Sequence, residues 1–130
     1  MRGFFEPIDH LLKTVYEFCE HEIDECELLL FEAFWITGGT RLQLNEFQAG
    51  AQAFKQAWDV LQQTIKKGVI GSSDDRVAIA AGLMGNGRLA LNDFVDAESW
   101  YLRAFQLWEE LEDDIFLDKQ LFVSTNSAIL

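Results

Sequence analysis

The sequence has little of what ends a helix and no pattern typical of a strand. Proline occurs once in 130 residues, at Pro7, and a proline in the interior of a helix disrupts it. β-Branched residues nowhere alternate with polar ones over the length of a strand, as they do in a half-buried sheet. The helix formers Leu, Ala, Glu and Gln are abundant instead. These features predict an all-α fold.

Basic residues are also scarce. Lys and Arg number 10 against 22 acidic residues, which gives a net charge of −12, and the only adjacent basic pair is Lys66-Lys67. A nucleic acid or an anionic membrane surface would repel such a chain, so neither is expected as a partner. The acidic balance favours solubility and leaves room for a basic partner, because the first 32 residues hold nine acids against Arg2 and Lys13.

Cysteine and histidine occur twice each. Two cysteines do not make a disulfide framework, which fits a reducing, cytoplasmic setting. Cys19, His21 and Cys26 lack the close Cys-x2-Cys spacing of a structural zinc site, so we predict inert, buried cysteines and no metal. No apolar run approaches the roughly 18 residues that a membrane span requires.

No residue pattern indicates catalysis or a cofactor. Neither histidine has a Ser or Cys beside it in a nucleophile motif, and the acid pairs near residues 109–114 are typical of a solvated face. A glycine cluster at Gly82, Gly85 and Gly87 is not preceded by a strand or followed by Lys-Ser/Thr, as a phosphate loop would be. We interpret it as a site of close helix packing or of close approach by a bound peptide. The sequence therefore predicts no enzyme.

What the chain does contain is an internal repeat. The segment from Arg41 to Phe47 recurs 47 residues later, from Arg88 to Phe94, as Arg-Leu-x-Leu-Asn-acid-Phe. The correspondence continues downstream, where Gly50, Phe54 and Ala57 match Ala97, Tyr101 and Ala104, and upstream, where Phe34, Thr37 and Gly38 match Ala81, Met84 and Gly85.

The repeated residues suit a pair of helices joined by a short turn. Asn45 and Asn92 tolerate the left-handed backbone that ends a first helix. Small residues such as Gly50 would let the helices approach, with Phe54 and Tyr101 filling the space between them. The two phenylalanines that follow the turns, Phe47 and Phe94, are expected to plug the junctions.

This pattern resembles the tetratricopeptide repeat, in which a large-x-x-Leu-Gly first helix is followed by a small-x-x-x-aromatic second helix. The spacing of corresponding second-helix phenylalanines, 42 and then 47 residues, is similar to the extended repeats of kinesin light chains and of fungal or bacterial signalling arrays. The resemblance covers nearly the whole chain and implies an all-α solenoid of antiparallel helix pairs. It identifies a fold better than a function.

Six helices follow from this alignment, within one domain of residues 1–130. They form a half repeat (5–21), a repeat of two helices (24–44 and 47–66), a second such repeat (74–91 and 94–112) and a closing half repeat (115–130). Residues 67–75 form the loop between repeats, and Ser73 or Asp74 is expected to cap the helix that follows it.

The resemblance further implies a concave wall built from the first helices. Trp58, Trp100 and Trp108 are expected in the core, whereas Trp35 is predicted to lie on this wall as an aromatic anchor. The predicted wall consists of Glu32, Trp35, Gly39, Leu42, Gln43, Ile79, Gly82, Asn86, Leu89 and Ala90. We therefore expect a non-enzymatic scaffold that binds a peptide or an amphipathic helix. The alternatives are a regulatory or sensor segment of a larger signalling protein and, third, a small-molecule binder or an enzyme.

The two ends of the chain each lack half of a repeat, so apolar side chains there would have no covering helix. We expect either a slice of a longer array or a homo-oligomer formed through the terminal helices. The residues expected to self-associate at the C-terminal end are Phe116, Leu117, Leu121, Phe122 and Ile129, and those at the N-terminal end are Phe4, Leu11 and Tyr16.

Overall fold

Helices account for nearly all of the chain that the computed structural model describes, which is residues 2–19 and 26–126. These residues form five helices and no strand, which confirms the all-α prediction for this part of the chain. None of these helices is both long enough and apolar enough to cross a membrane. The helices are α1 (Arg2–Cys19), α2 (Cys26–Gln43), α3 (Phe47–Lys66), α4 (Asp75–Ala90) and α5 (Phe94–Asn126).

The helix bounds agree with the sequence pattern in the middle of the chain and depart from it towards the C-terminus. α2, α3 and α4 begin and end within two residues of the predicted positions. The segments 94–112 and 115–130 were expected to be separate helices, but α5 continues through residues 113–114 to Asn126. Residues 109–115 contain no Gly, Pro or Asn to end a helix. The described chain therefore has five helices where six were predicted.

Each helix packs against the next one along the chain, α1 on α2, α2 on α3, α3 on α4 and α4 on α5. The apolar stripes of α2, α3 and α4 meet in one buried cluster, to which α5 contributes Ala104 and the α3–α4 loop contributes Ile70. Phe31, Ala57, Leu61 and Ala81 are completely buried in it. Because burial of apolar area is the main favourable term in folding, this cluster fixes the positions of the middle helices.

The turns between α2 and α3 and between α4 and α5 have the same geometry. Asn45 and Asn92 adopt positive φ angles of +63° and +62°, which confirms the left-handed conformation predicted for them. The backbone N–H of Asn45 donates to the carbonyl of Leu42, and that of Asn92 to the carbonyl of Leu89, each over 3.0 Å. The sequence repeat is thus also a repeat of backbone structure.

Small residues allow the paired helices to approach closely. A Cβ added to Gly38 would lie 2.5 Å from the ring of Phe54, and one added to Gly85 would lie 2.6 Å from the ring of Tyr101. Gly50 is likewise covered by Leu42, whose side chain would be 2.8 Å from an added Cβ. These contacts confirm the roles predicted for Gly50, Phe54 and Tyr101. The pairs Gly38–Phe54 and Gly85–Tyr101 lie 47 residues apart in the two hairpins.

Two expectations about large aromatic residues are wrong. Phe47 and Phe94 do not plug the helix junctions, because their side chains are 44% and 62% exposed. Each is the first residue of its helix, beyond the point where the preceding helix has ended, so little is left to cover it. Trp58 is buried as expected, but Trp108 is 43% exposed and does not belong to the core.

Asp74 caps the N-terminus of α4, as predicted. Its carboxylate accepts a hydrogen bond from the backbone N–H of Arg76 at 3.0 Å and is also bound by the Arg76 guanidinium at 2.9 and 2.8 Å. This pairing holds the pKa of Asp74 well below its ordinary value and raises the pKa of Arg76. The cap satisfies one of the backbone donors that the first turn of a helix leaves free.

Replacement of Asp74 by alanine is expected to lower the free energy of unfolding by about 1 kcal/mol, the usual contribution of an N-cap side chain. The folded-state pKa lies below the ordinary value of 3.8, so the ionised cap contributes fully above that pH and less as the pH falls below it. Urea denaturation at about pH 7 and about pH 3 checks both statements. Asp74→Asn, which keeps an oxygen acceptor, should lose less stability at neutral pH and show a weaker pH dependence.

Candidate functional site

The α2 part of the predicted wall is mostly open to solvent. Glu32, Trp35 and Gln43 are exposed, and a Cβ added to Gly39 would meet no atom within 4 Å. Leu42 differs, because its side chain is half-buried against Gly50 of α3. Four of the five predicted α2 residues therefore remain available to a partner, and Leu42 is used in helix packing.

The α4 part of the predicted wall is divided between packing and solvent. Ile79 packs against the core cluster, whereas Gly82 is bordered by open space. The Asn86 side chain accepts a hydrogen bond of 2.5 Å from the Tyr101 hydroxyl, and its residue remains exposed. Leu89 lies at a cleft shared with α5. Ala90, the last predicted residue, is half-buried at the end of α4.

Trp35 is the largest side chain on this wall. It is 38% exposed, and its ring lies 6.0 Å from that of the buried Phe31, tilted by 45°. The contact with Phe31 restricts the indole, while the exposed edge can contact a ligand. Gly82 occupies the same repeat position in α4, so the bulky side chain of one repeat corresponds to bare backbone in the next.

A second surface, which the repeat pattern does not predict, lies between the end of α4 and α5. It is a cleft of about 440 Å³, and its lining is almost entirely apolar. Burial raises the pKa of its one tyrosine hydroxyl, that of Tyr101. The cleft is lined by Leu89, Phe94, Ala97, Glu98, Tyr101, Leu102 and Phe105.

Most of the large apolar side chains that α5 contributes to this cleft are exposed, as is the neighbouring Val95. Phe94, Leu102 and Phe105 are each more than half exposed, and Val95 is 81% exposed. Scattered exposed apolar residues are normal on a protein surface, but a contiguous group marks an interaction site. The apolar residues Phe94, Val95, Leu102 and Phe105 can be read directly from the sequence. The repeat alignment does not predict this surface, because it ends the helix at residue 112 and begins a sixth helix at residue 115.

The residues predicted to self-associate can be placed only in part. The last part of α5 contains Phe116, Leu117, Leu121 and Phe122. Ile129 lies outside the described residues. At the other end, Leu11 and Tyr16 of α1 are 38% and 46% exposed. The Tyr16 ring also contacts Phe34 of α2, 6.1 Å between centroids. Self-association through the terminal helices stays a prediction.

Two further predicted features concern Cys26 and metal binding. Cys26 is buried and carries a free thiol, as expected for an inert cysteine. Among the side chains that the structure describes, those of residues 9–17 and 26–112, no three His, Cys, Asp or Glu are grouped as metal ligands would be.

Comparison with protein-family models, with curated proteins and with solved structures found no match to this chain. The geometry of the two surfaces and the internal repeat are therefore the features that bear on function.

Proposed function

We propose that this chain is a non-enzymatic interaction scaffold of the tetratricopeptide-repeat type, which binds a peptide or a helix of another protein. The observation that carries the proposal is the repeated hairpin. Asn45 and Asn92 form identical turns, and the contact of Gly38 with Phe54 recurs as that of Gly85 with Tyr101. Stacked helix pairs of this kind present extended surfaces, which is how such repeats serve as binding scaffolds.

We expect the predicted wall to form a groove, because it combines an aromatic anchor with open backbone. Trp35 exposes part of a large apolar side chain that is held in place by Phe31. Gly39 and Gly82 leave room at the backbone, since no atom lies within 4 Å of a Cβ added to either. Binding energy at interfaces is concentrated in such anchors, and tryptophan is among the commonest of them. Glu32 adds an exposed carboxylate beside the anchor, which favours a ligand with a basic residue.

Trp35→Ala should weaken the binding of a peptide in this groove by about 2 kcal/mol, or roughly 30-fold in Kd. Peptides selected on the intact chain from a displayed random library serve as ligands, and fluorescence anisotropy gives their Kd. Truncation of a buried aromatic side chain lowers the free energy of unfolding by about 3–5 kcal/mol. For Trp35→Ala the decrease should be much smaller, because the side chain is partly exposed.

Ile36→Ala provides the matched control, because Ile36 is an exposed apolar residue of α2 beside Trp35 that is not part of the predicted wall. It should leave the Kd unchanged. The proposal would be contradicted by peptides that bind equally well to both variants, or by a selection that yields no specific peptide at all.

A further inference from the structure

The α4/α5 cleft has a counterpart one repeat earlier, and there a helix fills it. Tyr101 and Phe105 of α5 stand 47 residues after Phe54 and Trp58 of α3. In α3 these aromatic residues are 2% and 9% exposed, whereas Phe105 is 60% exposed. The difference follows from packing, because α4 lies against α3.

The approach of α4 to α3 shows how closely a helix fits this kind of surface. A Cβ added to Gly87 of α4 would lie 3.1 Å from the Cα of Ala51 and 3.5 Å from the ring of Phe54. The equivalent of Ala51 on α5 is Glu98, which lines the open cleft. The face of α5 therefore has the form of a helix-binding surface, and among the described residues no helix occupies it.

The residues that differ between the two faces indicate an apolar ligand. Gln48 and Lys55 border the α3–α4 contact, as polar residues at a solvent boundary normally do. Their counterparts on α5 are Val95 and Leu102, which are 81% and 54% exposed. A face adapted to water would keep polar residues at these positions, since contiguous exposed apolar patches are otherwise disfavoured.

Acidic residues flank the apolar part of this face. Glu98, Leu102, Phe105, Glu109 and Glu112 recur at helical spacing and so form one stripe along α5. All five are exposed, and the stripe has carboxylates at both ends and apolar side chains in the middle.

The nearby arginines do not neutralise this stripe. Arg88 is paired with Asp96 at 3.1 Å, and Arg103 lies over the rings of Trp58 and Trp100. A second copy of the chain, with a net charge of −12, would bring like charges together on this surface. A ligand with an apolar face and basic flanks matches it instead.

We propose that the α4/α5 cleft is a second docking site, which shares Leu89 with the predicted wall but does not include Trp35, and that it takes a basic amphipathic helix of another protein. The helix lies along α5 as α4 lies along α3. Its apolar face covers Leu102 and Phe105, and its lysines or arginines contact Glu98 at one end and Glu109 or Glu112 at the other. This is the helix-in-groove form of recognition, with charge complementarity setting specificity and direction.

The test uses a labelled peptide of about 18 residues, or five helical turns, with leucines at helical spacing on one face and lysines on both flanks. We expect it to bind the full chain, to gain helical circular dichroism on binding, and to bind more weakly as salt is added. The control peptide carries glutamate at every lysine position and should bind at least about tenfold more weakly.

Two substitutions on α5 test the site with residues that the same fold already holds on α3. Leu102→Lys introduces the residue found at Lys55, and Glu98→Ala the residue found at Ala51, so neither should impair folding. Leu102→Lys should weaken binding of the lysine peptide at least about tenfold. Glu98→Ala should weaken it less and reduce its salt dependence. Trp35→Ala should leave it unchanged, which distinguishes this site from the proposed peptide groove around Trp35.

Three results would overturn the proposal. The first is that the lysine peptide does not bind the folded chain, or binds no better than the glutamate peptide. The second is that Leu102→Lys binds as well as the unaltered chain, or that Trp35→Ala abolishes binding. The third is that the unaltered chain is a stable dimer by light scattering and Leu102→Lys is a monomer, which would assign this face to self-association.

Discussion

Replacement of Phe54 by alanine is expected to lower the free energy of unfolding by about 3–5 kcal/mol, among the largest effects of any single truncation in this chain. Phe54 is 2% exposed and lies between α2 and α3, with its ring over Gly38. Truncation to alanine removes most of the side chain and leaves a cavity that the surrounding helices fill only in part. Urea denaturation followed by circular dichroism measures the change.

Phe47→Ala is the matched control, because it makes the same chemical change seven residues earlier in the same helix. Phe47 is 44% exposed, so its truncation removes fewer contacts and creates no closed cavity. A loss of about 1 kcal/mol is expected, which is near the centre of the range for point substitutions in general. Equal losses from the two variants would mean that Phe47 is covered in solution and that the turn is packed differently.

The contrast between these two residues shows what the repeat pattern could predict. Spacing alone placed Phe47 and Phe54 on one stripe of α3, and both were expected to fill space between helices. Spacing does not record where the neighbouring helix ends. α2 ends at Gln43, so Phe54 has a helix beside it, while Phe47 extends past the end of that helix.

Local chemistry was a better guide than long-range packing. Asn45 and Asn92 have a backbone preference of their own, and Asp74 is a strong N-cap residue, so these turns and this cap could be predicted from sequence. The burial of Ile70, in contrast, depends on long-range packing and could not be predicted from local sequence. Ile70 lies in the polar loop between α3 and α4, yet it is 8% exposed and belongs to the core, because the loop folds back over the middle helices.

The wall around Trp35 could be predicted from the sequence better than the cleft on α5, because the cleft depends on long-range packing. The wall around Trp35 follows from a resemblance in sequence, and Glu32, Trp35 and Gln43 of this wall are exposed on α2. The cleft on α5 depends on which helix lies beside which. The repeat pattern predicts that this helix ends at residue 112 and that another begins at 115, but α5 continues to Asn126. Within the described part of the chain no helix turns back to cover Leu102 and Phe105.

Gly38→Ala is expected to destabilise the chain by about 1–3 kcal/mol, the usual cost of overpacking a core. Alanine is normally better than glycine in a helix by about 1 kcal/mol, so the sign of the effect is informative. A Cβ at Gly38 would lie 2.5 Å from two ring atoms of Phe54 and 3.1 Å from the carbonyl oxygen of Gly50. The buried ring has little room to move, and the clash outweighs the gain in helix propensity.

Gly39→Ala and the double variant Gly38→Ala/Phe54→Ala isolate the cause. Gly39 is the next residue of α2, and a Cβ there meets no atom within 4 Å, so alanine should stabilise the chain by about 0.5–1 kcal/mol. Once Phe54 is replaced by alanine, the clash with its ring is gone, and the further change Gly38→Ala should cost nothing or stabilise. The coupling between the two positions should then be about 1–3 kcal/mol. Additive losses would instead place the obstruction at the Gly50 carbonyl, since the backbone contact is present whether or not the ring is.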